Sequence, residues 1–486
     1  MSSSSGSPTA PRRRRLALPS SDTLRALFSP GVAVIASVCV VASLYVLARP
    51  REAAGGMALW TFGRPHLIAY QPIIRSWNAD TDVPVRASLL DYPALERRVL
   101  SGFLSGTPLA DLVEVERGIA ARTFAGPLDA VGFVDLTDRL REEGLLEEIN
   151  APSFSPWATR GRIFGLPHDV HPVLLAYRAD LVEAAGIDVS GIETWDDFER
   201  VLGPLQRDLD GDGRIDRRLI NFWPNNVWLP EAFLLQAGGR LFDENERPAL
   251  AGERNAEVLV RLALWVGGPR RIALDAPEFS AAGNQLRLDG LVVASVLPDW
   301  LAGVWKTDLP GLAGKIKLMP LPAWERGGRR TTVMGGTMLG IPKATPDFER
   351  AWRFAKHLYL SPELAAQLYE KSNIITPVKR LWTMPVYDRP DPYFAGQPAG
   401  RLYIEQAAAV PARVSSPYAA LASTELGNIL LALQREAEAR AAVDPADLLP
   451  LARRLLAEAQ TRLEARMNRN VFLNTPAFEP ASSPAP

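Results

Sequence analysis

The chain is 486 residues long with 47% hydrophobic and 22% charged residues, proportions that exclude a wholly disordered protein and leave room for about two to three structural units. Its formal net charge is −1, so it has no overall field to draw it to nucleic acid. The only cysteine, Cys39, excludes an internal disulfide framework and a cysteine-based zinc site.

In chain order, residues 1–30 are rich in Ser and Pro and carry the run Arg12 to Arg15, the composition of a disordered basic tail. Residues 31–48 hold no charged side chain over about 18 positions, enough to span a bilayer, and are expected as a single transmembrane anchor. The basic residues ahead of this segment place the tail in the cytoplasm. The rest of the chain then lies on the periplasmic or extracellular side of the inner or cell membrane. A cleaved signal peptide is the competing reading; Val46-Leu47-Ala48 loosely resembles a cleavage site, but Pro50 follows closely. Cys39 reads as one more anchor residue.

Strand signals at 57–62, 83–89 and 110–115 alternate with helix signals at 67–77 and 92–104, the rhythm of βαβ units on a parallel sheet. The rhythm returns with strands at 291–297, 315–319 and 338–341 and a helix at 348–359. From about Pro411 the signal is nearly continuous helix, interrupted at Asp444-Pro445, and 471–486 reads as a disordered Pro-rich tail.

Motifs that fix a catalytic geometry are missing. The sequence has no G-x-x-x-x-G-K-[ST] phosphate loop, no H-E-x-x-H and no G-x-S-x-G, so no catalytic residue is assigned and no cofactor is required. His168 and His171 flank Asp169; outside a helix this spacing has no fixed ligand geometry, and hydrogen bonding beside a cleft is the preferred reading. Asp208, Asp210, Asp212, Gly213, Ile215 and Asp216 match positions 1, 3, 5, 6, 8 and 9 of a calcium-binding EF-hand loop, with Leu219 where the bidentate Glu belongs. Asp208, Asp210, Asp212 and Asp216 are therefore candidate ligands of a structural Ca²⁺, against the alternative of a solvated acidic turn.

From Gly161 to Arg178 the chain reads GRIFGLPHDVHPVLLAYR, followed by Glu193-Thr194-Trp195-Asp196-Asp197-Phe198. Further along come Gln236 to Asp243 (QAGGRLFD), Gly290 to Trp300 (GLVVASVLPDW), Gly335 to Lys343 (GGTMLGIPK), Leu360 to Glu363 (LSPE) and Asn373 to Lys379. In this order the segments resemble those of family 1 extracellular solute-binding proteins, which are similar to maltose- and oligosaccharide-binding proteins. The resemblance covers about residues 57–470. It implies an α/β, two-lobed periplasmic-binding-protein-like fold with a hinge and an interlobe cleft, preceded here by the N-terminal transmembrane helix. On that analogy lobe 1 is 57–168 plus 323–371 and lobe 2 is 169–322 plus 372–470. The implied function is the substrate-binding component of an ABC importer. Its partners would be a sugar or oligosaccharide ligand and permease subunits with a separate ATPase, and the chain itself is expected to be a monomer.

Sugars offer apolar C–H faces and many hydroxyls, so their sites combine aromatic rings with carboxylates, amides and histidines. The candidates at strand ends are His66, Asp91, Tyr92, Glu116, His168, Asp169, Trp223, Asn225, Asn226, Trp228, Asp299, Trp300 and Trp305, with Gly335 and Gly336 where bare backbone approaches a ligand. Glu114, at the end of the third strand, belongs to the same group. Two other functions stay open at this point: a secreted carbohydrate-active enzyme using Asp169, Asp299 or Glu116 as acid or base, and a membrane-tethered sugar sensor.

Overall fold

The computed structural model describes residues 30–48, 56–226 and 228–472. The expectations for residues 1–29, for the junction at 49–55 and for 473–486 lie outside them. Residues 1–56 and 57–486 form separate units, each taken by itself.

In the first unit, α1 (Pro30–Ala48) is a 19-residue helix without a charged side chain, and its described apolar side chains are exposed. Among the described residues no helix is long and apolar enough to cross a membrane. The side chains of Ala33 and of residues 45–48 lie outside the described ones, so the described part of α1 falls short of the expected span.

The second unit is built on two five-stranded sheets. The first begins with β1 (Met57–Thr61), α2 (Arg64–Ala79), β2 (Val85–Leu89), α3 (Tyr92–Ser105), β3 (Leu112–Glu116) and α4 (Arg117–Thr123). Strand β1 runs parallel to both β2 and β3, as the alternating helices require. The chain then forms β4 (Leu166–Pro167), crosses, and enters the second sheet at β5 (Val173–Arg178), all six residues of which are buried. There follow α5 (Trp195–Leu202), β6 (Arg218–Asn221), α6 (Leu229–Gln236), α7 (Glu253–Val266), β7 (Ala273–Leu274), β8 (Val292–Pro298), α8 (Asp299–Asp308) and β9 (Ile316–Pro320). The chain returns to the first sheet at β10 (Thr337–Gly340), whose helices α9 (Phe348–Tyr359) and α10 (Pro362–Ser372) cover that sheet.

The sheet orders are β2-β1-β3-β10-β4 and β9-β5-β8-β6-β7. In each, a strand arriving after a crossover is antiparallel to its neighbour: β10 to β3 in the first, and β8 to β5 in the second. Long helices α11 (Ala419–Arg440) and α12 (Leu449–Met467) close the core of the second sheet through Leu426, Leu430, Leu433 and Leu456. α11 ends where Ala441 takes a left-handed φ of +47°, and the turn at Pro445–Asp447 then leads into α12. Local signals are obeyed at the ends: Thr194 and Asp197 form a reciprocal capping box that starts α5.

Between the sheets three segments run side by side. His168 N donates to Thr337 O at 3.0 Å, Val170 N to Ile375 O at 3.2 Å and Asp299 N to Pro172 O at 3.3 Å. These strands of connecting backbone form the floor under a cleft.

Candidate functional site

The cleft opens at the carboxyl ends of β1, β3 and β8, where α/β sheets expose their loops and helix starts. Its main cavity is about 490 Å³. From the first sheet come Phe62, which directly follows β1, His66 on α2, Tyr92 on α3, and Glu116 and Arg117 at the β3–α4 junction. From the second come Trp228, Phe279 and Trp300, while His171, Met334, Gly335, Gly336 and Arg413 belong to the floor. A second cavity of about 280 Å³ continues from it and shares Tyr92, Glu116, Arg117, Trp228 and Arg413. The two form one elongated groove.

The walls are aromatic. Phe279 lies parallel to Trp300 with ring centroids 6.2 Å apart, Trp228 stands edge-on to Trp300 at 6.4 Å, and on the facing wall Phe62 packs edge-on to Tyr92 at 5.8 Å. Phe279 is 60% exposed, an unusual position for a phenyl ring unless something covers it. Trp300 is oriented by its Nε1, which donates to Met334 O at 2.9 Å. Gly335 and Gly336 take φ of +108° and +131°, and a Cβ on Gly335 would stand 2.6 Å from His171 Cδ2. Only glycine lets the floor pass this close beneath His171 and Trp300.

Polar groups sit on two levels. At the cavity surface, Glu116 accepts from the Tyr92 hydroxyl at 3.1 Å and from Gly118 N at 2.6 Å, and Arg117 donates to Glu231 on α6 at 2.8 Å. Burial and the neighbouring Glu116 push the Tyr92 hydroxyl up, so it stays protonated as a donor. The Arg117–Glu231 pair joins the two sheets' walls, as does Thr159, which donates to Glu246 at 2.8 Å.

Below the floor lies a buried chain of ionisable groups. Glu114 accepts from Thr61 at 2.6 Å, from Tyr359 at 3.1 Å and from Tyr70, and lies 2.8 Å from His66 Nδ1. Burial opposes its charge, but His66, His168 and Thr61 outweigh that and hold its carboxyl down at about 2. Next, Asp169 stands 3.0 Å from both His168 and His171, and His171 reaches Asp299 at 2.8 Å. Despite complete burial, Asp169 and Asp299 raise His171 to about 10, so it is an imidazolium. His168 is lowered by burial and by His66, and its Nε2 has no partner. Asp299 also accepts from Ile375 N at 2.8 Å and from Trp300 N at 2.8 Å, which ties the charge pair to the crossing segment at Ile375 and to the start of α8.

Metal-ligand chemistry has two places to be tested. His66, Glu114 and His168 bring ligand atoms within 4.8 Å of one another, but Glu114's oxygens are already taken by two tyrosines, a threonine and His66. In the acidic loop, Asp208, Asp210 and Asp212 each offer an oxygen within the same 4.8 Å. Asp216 is outside that group and accepts from Leu209 N at 2.7 Å, while Leu219 is buried in β6.

Of the residues expected from sequence, His66, Tyr92, Glu116, Trp228, Trp300, Gly335 and Gly336 line the main cavity. His168, Asp169 and Asp299 are placed beneath it. The other expectations need correction. Trp305 is 3% exposed in the core and donates to Glu278 at 3.2 Å, because it sits on the inward face of α8. Asp91 is exposed at the start of α3, its carbonyl accepting from Leu95 N. Asn225 is exposed on its turn and lines neither cavity. Trp223 packs against the second core, and Asn226 spends its side chain on Trp228 N and Leu229 N, starting α6; the two border a void of only about 20 Å³ behind Trp300. The lining residues not among the sequence candidates are Phe62, Arg117, Phe279, Met334, Thr337, Ile374 and Arg413, none of which carries a local signal; His171, read from sequence with His168 as a hydrogen-bonding group beside a cleft, lies in the floor.

Residues 66–363 match the family described as bacterial extracellular solute-binding protein. An arabinooligosaccharide-binding protein of Halalkalibacterium halodurans is 26% identical over 352 residues, 71% of this chain and 76% of its own length. Another of that name from Bacillus subtilis is 23% identical, over 61% of this chain and 67% of its own. Among solved structures, the sugar-binding protein MalE from Xanthomonas citri superposes with a TM-score of 0.68 at 16% identity, covering 85% of this chain and 99% of that one.

Proposed function

We propose, from the premise that this chain belongs to the bacterial extracellular solute-binding proteins, that it is the substrate-binding component of an ABC importer. It binds a sugar or oligosaccharide in the cleft and delivers it to membrane permease subunits served by a separate ATPase. The observation that carries this reading is the elongated groove with aromatic rings on opposing walls and hydrogen-bonding groups at its edges. Rings stack on the C–H faces of a sugar, and Tyr92, Glu116 and Arg117 meet its hydroxyls. The arabinooligosaccharide specificity in the two relatives' names supports an oligosaccharide of this kind.

Lobe 1 (57–168 plus 323–371) and lobe 2 (169–322 plus 372–470) would move as two bodies about the floor. A ligand touching both walls binds the closed state better and shifts the population toward it. Turnover is not needed. Glu116 is the only carboxylate on the main cavity among the described residues, and the adjoining cavity adds Glu96 on the same wall, whereas glycoside hydrolysis uses two carboxylates flanking the bond. Asp169 and Asp299 are already committed to His171.

The test is a thermal-shift and calorimetric panel of arabino-, galacto- and malto-oligosaccharides on the full-length protein, with product analysis of the same mixtures. A ligand at about 100 times its Kd adds about 2.7 kcal/mol of stability. Saturable one-to-one binding without product is expected; release of shorter sugars would favour the enzyme reading.

Two further parts of the proposal stand on their own observations. The uncharged helix α1 with its exposed apolar side chains is a retained anchor, holding a monomeric binding unit outside the membrane with Arg12 to Arg15 inside. A mature N-terminus near Arg49 would overturn it. The acidic loop is a weak Ca²⁺ site bracing lobe 2, supported by the convergence of Asp208, Asp210 and Asp212.

A further inference from the structure

The groove contains a buried guanidinium whose hydrogen-bonding capacity the described residues do not fill. Arg413 is 6% exposed, lines the main cavity, the adjoining cavity and the small void beneath them, and donates through one terminal nitrogen to Gly335 O. Its Nε has no hydrogen-bond partner, and no described carboxylate stands within ion-pair distance of its guanidinium. The other guanidinium of the groove, Arg117, is different: Glu231 and Glu116 stand 2.8 and 3.6 Å from it. Burial, with Arg117 adding to the effect, pulls Arg413 down to about 10 against the opposing pull of Glu231, Glu116 and Asp169, none of them within ion-pair distance, so it remains charged at neutral pH. A buried cation without a counterion is costly, and proteins normally pair or hydrogen-bond such groups fully.

Resting on the sugar-binding reading above, the geometry points to an oligosaccharide that carries a carboxylate, a uronic-acid-containing sugar, whose carboxylate pairs with Arg413 at the floor of the groove. A guanidinium presents parallel N–H donors in a fork that matches a carboxylate. A single carboxylate is also the smallest load on a site where Glu116 already stands: it meets the guanidinium with one negative charge, whereas a phosphate dianion would bring two beside that carboxylate. The aromatic walls then hold the neutral parts of the same sugar chain, and the adjoining cavity, which Arg413 also lines, takes the next unit.

The experiment is calorimetry on the full-length protein in mild detergent with oligomers of galacturonic, glucuronic and mannuronic acid, each against its carboxyl-reduced neutral counterpart and a phosphorylated sugar. We expect at least one acidic oligomer to bind about tenfold or more tighter than its neutral partner. Arg413→Gln collapses that ratio toward one, and Arg413→Lys, which keeps the charge, retains part of it. The wild-type ratio is measured whether or not the variants fold. Neutral oligomers binding as well as or better than acidic ones, tighter binding of the phosphorylated sugar, or a ratio unmoved in a folded Arg413→Gln protein would each overturn the carboxylate assignment while leaving sugar binding intact. Failure of every sugar, acidic and neutral, would remove the sugar-binding reading itself.

Discussion

Three tryptophans that follow one another in the α6 and α8 regions have different fates. Trp228 and Trp300 face the groove, and replacing either with Ala should weaken oligosaccharide binding by about 1–3 kcal/mol with little change in melting temperature. Trp305 is part of the core, so Trp305→Ala should cost about 3–5 kcal/mol of stability, read by denaturant unfolding. Equal losses of affinity and stability in all three would contradict the placement. His171 gives a pH prediction. Its folded pKa is raised from 6.5 to about 10, so its contribution is fully present below 6.5 and is lost as pH rises through 10. The melting temperature should therefore fall between those values, and His171→Gln should start lower and flatten the decline. Glu114, depressed to about 2, works in the opposite direction: its contribution is present above 4.5 and is lost as pH falls toward 2.

At the scale of elements, the acidic loop between α5 and β6 is the part whose role depends on solution conditions. Its carboxylates already accept backbone N–H groups, Asp208 from Gly211 at 2.6 Å and Gly213 at 2.8 Å, so the turn is formed by the chain itself. Calcium would add to a preformed loop. Millimolar Ca²⁺ should raise the melting temperature, and Asp212→Ala should abolish the rise without changing sugar affinity; a flat titration would reduce the loop to a solvated turn. The strands and helices were legible at this scale. The alternation of β1 reflects burial on one face, whereas β3, β8 and β10 are short apolar runs buried on both, and the structure places β1 to β3 and β8 to β10 within 57–115 and 291–359 with ends shifted by a few residues.

For the whole molecule, the prediction concerns closure. Arg117 and Glu231 join the two walls through a pair whose side chains are 18% and 5% exposed. Glu231→Gln leaves Arg117 with Glu116 alone, 3.6 Å away on its own wall, so the substitution should shift the ligand-free protein toward an open state. Small-angle scattering should show a larger radius of gyration than wild type, returning on saturation with ligand. An unchanged radius would mean that the floor and the Thr159–Glu246 contact, rather than this pair, hold the walls together.

Sequence alone determined what depends on neighbours along the chain. Apolar patterns specified the βαβ units, Thr194 and Asp197 the start of α5, Pro445 the turn that leads into the last helix, and the glycine pair at 335–336 a close backbone approach. The positions of His66, Tyr92, Glu116 and Trp300 at strand ends were enough to bring them to the groove. Tertiary structure decided everything that depends on which way a side chain turns once distant elements meet. Trp305 and Trp300 share a helix, and only the packing of α8 against its core separates ligand wall from interior. Arg413 and Gly335 are 78 residues apart, and Phe279 has no local pattern that distinguishes it from a core ring. The floor that unites them exists only where three crossing segments lie side by side, an arrangement set by the return of the chain between two sheets and invisible to any local pattern.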